Sequence, residues 1–373
     1  MTAREGGVTR LTAIYRIRAD ASSIEARAEA IAIEQSVEMP VSAIDDLRVL
    51  SDIVGRVESI GDSGDGSFEV RIALSLATTG LESGQLMNML FGNTSIQEDV
   101  SLVDVILPME LIRAFGGPRH GIGGLRALCG ARRRALTCSA LKPQGLAPEV
   151  LGKLAGRLAE GGLDFIKDDH GLADQSYSPF AERVRACARA VRKAAAATGI
   201  RTQYVPSLSG HLDQLRDEVR LARDEGIASV LIAPMVVGIP SFTALVSEFP
   251  DMAFMAHPAL AGASRIAPPL LLGKLFRLFG ADATIFPNHG GRFSYTPETC
   301  RLLADAARAP WNGLSPCLPV AAGGMVLARV AEMLDFYGPD TMLLIGGGLL
   351  AARDGLGEAV AAFFERVARH SYR

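Results

Sequence analysis

The chain is poor in the features that mark several protein classes. Its five cysteines, Cys129, Cys138, Cys187, Cys300 and Cys317, are odd in number and show no CxxC spacing. That pattern leaves no disulfide framework and reads as the reduced thiols of a cytoplasmic protein. Charge of one sign is missing too: 38 Lys and Arg stand against 41 Asp and Glu, a net charge of -3. Nothing here asks for nucleic acid or a membrane surface as a partner. The longest apolar run, around residues 229–239, is broken by Pro234 and Gly238 and falls short of a membrane span. Residues 1–7 are polar and lack the apolar core of a signal peptide. No repeat of solenoid period occurs. What the chain does have is length, 373 residues, and 49% hydrophobic residues, ample for a large core. This size suits two or three domains, or a small domain beside a barrel.

The first third reads as strand, helix, strand, strand, helix, strand. Residues 11–17 alternate apolar with polar, and 22–33 place Ile24, Ala28 and Ile31 at helical spacing behind a serine. Two strands, 49–60 and 67–77, flank a glycine-rich turn, followed by a helix at 86–91 and a strand at 101–106. The order predicts a small α+β domain of ferredoxin-like type, helices on one face of an antiparallel sheet, over residues 1–118.

From Leu136 the rhythm changes to short apolar strands alternating with longer amphipathic segments. Strands are expected at 136–141, 165–167, 202–205, 229–232, 253–256, 283–286, 318–321 and 341–345. Helices are expected at 148–158, 179–197, 212–225, 242–249, 269–279, 297–307, 326–336 and from 354 onward. Eight strands each followed by a helix predict a (β/α)8 TIM barrel over residues 119–373, with its active site at the strands' C-terminal ends.

Those ends carry the chemistry. Strand 1 ends in Lys142-Pro143 and strand 5 in His257. Strand 2 runs from Gly161-Gly162 to Lys167-Asp168-Asp169-His170. Alternation turns Phe165, Lys167 and Asp169 one way and Asp164, Ile166 and Asp168 the other. A solvated ion pair is the plain reading of such a strand end. A lysine at the mouth of a barrel, however, is costly unless it is paired or chemically used. His170 is open to three readings: metal ligand, base, or loop histidine without duty. His289 on the loop after strand 6 could meet substrate or solvent. The arginine-rich stretch 182–193 reads as the solvated face of an outer helix. Glycine clusters follow the last two strands, Gly323-Gly324 and Gly346-Gly347-Gly348, where barrels hold phosphate through backbone N–H groups.

These motifs resemble those of the ribulose-bisphosphate carboxylase large subunit, and most closely its RuBisCO-like (form IV) relatives. Gly161 to Asp169 matches the family's Gly-Gly-x-Asp-Phe-x-Lys-Asp-Asp run, and Lys142-Pro143 its strand 1 lysine motif. Phe115-Gly116-Gly117-Pro118-Arg119-His120-Gly121-Ile122 matches the interdomain segment, and Leu318 to Gly324 with the triple glycine the phosphate loops.

The resemblance implies roles. Lys167 would carry a CO2-derived carbamate and, with Asp169 and His170, bind Mg2+. Lys142 would donate a proton or stabilise an enolate, with His257 in the same catalytic set. Glu34 would reach the neighbouring barrel of a homodimer whose active site lies at the subunit interface. Arg292 would stand where the carboxylase has its mobile-loop lysine, and Gly323, Gly324, Gly347 and Gly348 would bind phosphate. There are also departures. His170 replaces a glutamate ligand, Gln144 the second strand 1 lysine and Ala322 a serine, His257 is followed by Pro258, and the N-domain asparagine falls at Gln85. The resemblance therefore implies a lyase or isomerase of this superfamily rather than a carboxylase, forming an enolate or enediolate from a phosphorylated keto sugar or sugar acid. Decarboxylation or transcarboxylation of a 3-oxo sugar-acid phosphate (3-oxo-isoapionate 4-phosphate type) is the leading expectation. An enolase or isomerase of methionine-salvage type and a noncatalytic metabolite-binding relative are the alternatives.

Overall fold

The computed structural model describes residues 8–372. Two compact units divide it: residues up to 116 together with 262–271, and 117–261 together with 272 onward.

In the first unit β1 (Arg10–Arg18), β2 (Arg56–Asp62), β3 (Ser67–Ser75) and β4 (Val100–Ile106) form one antiparallel sheet in the order β2-β3-β1-β4. With helices Ile24–Glu34 and Ser83–Phe91 after β1 and β3, this is the ferredoxin-like arrangement. Ile24, Ala28, Ile31 and Ala32 are the buried residues of the first helix. The buried Tyr15 hydroxyl donates to the Leu90 carbonyl at 2.6 Å, tying β1 to the second helix.

One expected strand is shorter than its sequence suggests. Residues 49–53 form a wide helical turn, and β2 begins only at Arg56. Asp46 Oδ1 accepts the N–H groups of Arg48 (2.8 Å) and Val49 (3.4 Å), and Arg10 gathers the carbonyls of Ser51, Asp52 and Val54. Carbonyls turned toward a guanidinium cannot serve a ladder. A second departure is the segment 262–271. Leu102 donates to the Arg265 carbonyl (3.0 Å) and accepts from Ala267 N (2.9 Å), so this piece of chain pairs with the edge of β4. The single boundary at 118/119 expected from sequence takes no account of this excursion.

In the second unit β5 (Leu136–Leu141), β6 (Phe165–Asp168), β7 (Gln203–Val205), β8 (Ser229–Ile232), β9 (Ala253–Ala256), β10 (Ala283–Pro287), β11 (Leu318–Ala322) and β12 (Met342–Leu344) are parallel neighbours. A bridge between Ser207 and Leu231 joins the ends of the sheet, closing the barrel. Nearly every strand residue is buried, as expected of parallel strands covered on both faces. The interior is stacked from alternate residues: Leu136 and Cys138, Phe165, Ala253 and Met255, Leu318 and Val320, Met342 and Leu344. Ile122 and Leu125 of helix Gly121–Cys129 join the same cluster.

The alternation carries on past these layers. Cys138 is followed two and four residues later by Ala140 and Lys142, Phe165 by Lys167 and Asp169, Met255 by His257, and Leu344 by Gly346. The parity that fills the core thus selects the polar groups at the mouth.

Asp164 braces the start of β6. It takes a two-pronged ion pair from Arg134 (2.6 and 2.7 Å) and accepts from Thr137 N (2.9 Å), while Arg134 lies over the Phe364 ring. Asp164→Ala is expected to leave Arg134 and the Thr137 N–H without this partner and to cost roughly 3 kcal/mol. The readout is a lower urea midpoint at unchanged slope.

Candidate active site

Lys142 Nζ donates to Asp169 Oδ1 at 2.7 Å, joining the ends of β5 and β6. His170 Nδ1 stands 3.3 Å from the same oxygen. The His170 ring stacks on His257 at the end of β9, with centroids 4.2 Å apart and planes within 10°. Beneath them Lys167 is 3% exposed, and its Nζ donates to the Asp168 carbonyl at 2.9 Å. Small residues leave room for the two amines. Ala140 is level with Lys167 across the β5–β6 ladder, and a Cβ on Gly346 would lie 3.8 Å from both Ala140 Cβ and Lys142 Cε.

Two amines around one carboxylate set the electrostatics. Burial would push the Asp169 carboxyl up, but hydrogen bonds from His170 and Lys142, with the Lys167 charge behind them, hold it well below the usual carboxylate range. Burial, with repulsion from Lys142, holds Lys167 below the ordinary lysine value, although Cys138, Asp169 and Asp168 oppose the shift. His257 is pushed down to about 2, first by burial and then by Lys167, His170 and Lys142, against the pull of Asp169. It is therefore neutral at working pH. Its Nδ1 accepts the Ala259 N–H at 3.2 Å, which assigns the ring proton to Nε2 and makes that atom a donor.

Asp168 points away from the mouth, as alternation requires. Fully buried, it receives Arg183 Nε (3.0 Å), the Tyr204 hydroxyl (2.8 Å) and Ser207 N (3.2 Å). Arg183 also donates to the carbonyls of Ala173 and Ser178. This arginine corrects the reading of stretch 182–193 as a solvated face, since Arg183 is completely buried while Arg185, Arg189 and Lys193 are not.

The glycines fall into two groups. Gly323 and Gly324 have φ of +82° and +92°, a region that favours glycine, and lie against the loop after β10. Arg292 N donates to the Gly323 carbonyl (3.3 Å), and a Cβ on Gly323 would strike the Phe293 ring. The exposed Arg292 side chain lies over that ring. Gly346 and Gly347 belong instead with Lys142, and Gly347 lines the same cavity as that lysine. Gly348 packs against the Met325 carbonyl. His289 is buried, its ring 4.7 Å from that of Phe336.

Glu34 lies in the first unit, where Asn93 Nδ2 donates to Glu34 (3.0 Å) and Glu38 (2.8 Å). Gln85, at which the sequence reading placed the N-domain amide, instead donates to the Thr78 carbonyl. Asn93, in the Phe91-Gly92-Asn93 turn, is the amide beside Glu34. Its signal was only this glycine-asparagine pair closing a helix.

For a metal, the unmodified donors are few. Asp169 and His170 converge, yet among the described residues no group of three His, Cys, Asp or Glu could hold an ion. The Lys167 amine, a nitrogen donor lowered below its ordinary value by burial, adds no oxygen to this pair.

Residues 121–288 match the family "Ribulose bisphosphate carboxylase large chain, catalytic domain". The chain is 63% identical to a 5-methylthioribulose-1-phosphate isomerase of Rhodospirillum rubrum, over 96% of each chain. It is 58% identical to ribulose bisphosphate carboxylase-like protein 1 of Rhodopseudomonas palustris, over 97% of this chain and 98% of that one. The chain is a RuBisCO-like protein. A crystal structure of a Rubisco-like protein from Rhodopseudomonas palustris superposes with a TM-score of 0.92 at 54% identity, covering 98% of this chain and 99% of that one. Its close relatives are named as enzymes, and this RuBisCO-like protein is one of the superfamily's lyases or isomerases. No helix among the described residues is long and apolar enough to cross a membrane.

The Asp169 environment has a pH signature. A carboxylate whose folded pKa lies below its unfolded value of about 3.9 stabilises the fold above that value and loses the contribution as pH falls through the folded one. The stability difference between this RuBisCO-like protein and its Asp169→Asn variant should be full at neutral pH and shrink below about pH 4. Urea titrations at a series of pH values measure it, and a pH-independent difference would contradict the assignment.

Proposed function

We propose that this RuBisCO-like protein isomerises a ketose phosphate of the 5-methylthioribulose 1-phosphate type through an enediolate. The observation that carries the reading is the Lys142–Asp169 ion pair at the barrel mouth, with the buried Lys167 amine beneath it. The name of the relative at 63% identity weighs toward this reaction over the sugar-acid decarboxylation that the sequence alone favoured.

Isomerisation removes a proton from the carbon beside a carbonyl and returns one to a neighbouring carbon, so the charge that develops sits on oxygen. Lys142, fixed by Asp169, takes that proton as the amine, faces the developing oxyanion as the ammonium, and returns the proton to the neighbouring carbon. His257, neutral and with its proton on Nε2, donates a hydrogen bond to the same oxyanion without adding a second charge. The stacked His170 ring holds His257 in place from the open side. A Mg2+ ion held by Asp169, His170 and a Lys167 carbamate would acidify the carbon by polarising the substrate oxygens. Arg292 and the glycine turns at 323–324 and 347–348 receive the phosphate through a cation and backbone N–H groups. The reading includes a homodimer in which Glu34, anchored by Asn93, serves the barrel of the other copy.

Purified protein given 5-methylthioribulose 1-phosphate with Mg2+ and bicarbonate should convert it to an isomeric ketose phosphate, followed by phosphorus and carbon NMR. Lys142→Met is expected to lower kcat by about 10²- to 10⁴-fold with little change in KM. Lys167→Ala should abolish turnover. Calorimetry should show Mg2+ binding that needs bicarbonate in the wild type and is absent in Lys167→Ala. Full activity in EDTA would remove the metal from the reading, and no turnover of any ketose phosphate would remove the reaction.

A further inference from the structure

Two residues past Lys142, the exposed Gln144 lays its side chain across the loop that follows β6. A Cβ on Gly171 would strike Nε2 of this carboxamide and lie 2.8 Å from its Cδ, and the three atoms nearest to such a Cβ all belong to the same amide. The φ of Gly171 lies outside the left-handed region, so its backbone makes no demand for glycine; the space taken by Gln144 does. Beneath the amide the loop is fixed. Leu172 N donates to the Asp169 carbonyl (3.0 Å), closing a turn over His170 and Gly171, and Leu172 itself is buried. The Gly171 carbonyl accepts Gln175 Nε2 at 2.7 Å, and Gln175 Oε1 accepts Ala173 N at 2.8 Å. This turn starts at the carboxylate that pairs with Lys142 and carries the His170 ring stacked on His257. The Gln144 amide therefore lies at the rim of the candidate active site, and among the described residues no hydrogen bond engages it.

We infer that the Gln144 carboxamide binds the substrate hydroxyl that takes no part in the proton transfer, the one on carbon 4 of the ketose phosphate, and that Gly171 is the positioning residue that makes room for it. The inference rests on the isomerase reading above. In such a substrate the carbonyl and the hydroxyl beside it become the enediolate, which Lys142 and His257 face. The remaining hydroxyl both donates and accepts, so it needs a partner able to do both. A carboxamide meets that need, and being neutral it adds no third positive charge beside Lys142 and Lys167. An amide held by packing alone has no internal hydrogen bond to break when the substrate arrives, so the new bond is gained against water only. At an exposed rim such a bond is worth about 3- to 10-fold in binding.

The test measures kcat and KM for 5-methylthioribulose 1-phosphate and its 4-deoxy analogue in the full chain. Gln144→Met, close in volume and unable to form the bond, should raise KM for the hydroxylated substrate about 3- to 10-fold with kcat little changed. Gly171→Ala should displace the amide and give the same loss. The double variant should lose no more than Gln144→Met alone, because both changes remove one interaction. On the 4-deoxy analogue all three variants should match the wild type, a result that a general loosening of the loop would not give. An unchanged KM in Gln144→Met, or equal losses on both compounds, would overturn the inference. If the wild type turns over neither compound, the isomerase reading falls. Calorimetric binding of the same two compounds to wild type and variants then decides the role of Gln144 by the same comparison, and a wild type that binds neither overturns that role as well.

Discussion

The Asp168 carboxylate, sealed behind the second barrel strand, fixes the site on the other side of that strand. It is wholly buried and takes three donors, Arg183 Nε, the Tyr204 hydroxyl and Ser207 N. Burial pushes its pKa up and the Arg183 charge pulls it back, so the pair persists only with its geometry intact. A strand held at Asp168 has no freedom to slip by one residue, because slippage would bury Lys167 among the outer helices and turn Asp168 into the barrel. The direction of the reactive groups follows from this outward clamp.

Inside the mouth, two amines face one carboxylate. Lys142 and Lys167 approach one carboxylate, and their field, added to burial, keeps His257 uncharged. Such a pocket is better matched to an anion that forms during reaction than to a neutral ground state, which is the condition for lowering a barrier. Burial thus acts twice in one site, holding the Lys167 amine and the His257 imidazole below their ordinary values.

Much of this was legible in the sequence, because period-2 alternation and the strand-helix rhythm are local signals. They placed all eight barrel strands and paired Lys167 with Asp169 on one face. What escaped depended on contacts distant in sequence. The turn at residues 49–53 follows from Arg10 collecting carbonyls some forty positions away. Arg183 sits in a run of arginines that reads as solvated, and only its register on the helix, opposite Asp168, distinguishes it. The stacking of His170 on His257 joins loops far apart in the chain, and periodicity carries no information about it. Asn93 was missed because a short turn gives no phase by which to align it.

The pairing of Leu102 with Arg265 and Ala267 has a consequence for how this molecule is put together. Its amino-terminal sheet borrows an outer rail from a loop made much later in synthesis. Emerging from the ribosome, β4 presents an open flank until the fifth barrel repeat has been translated, and a polypeptide stopped at residue 116 would keep that flank bare, a template for pairing with other chains. The two units are thus interlocked in chain order, so neither can be moved whole to another protein by one cut in the gene.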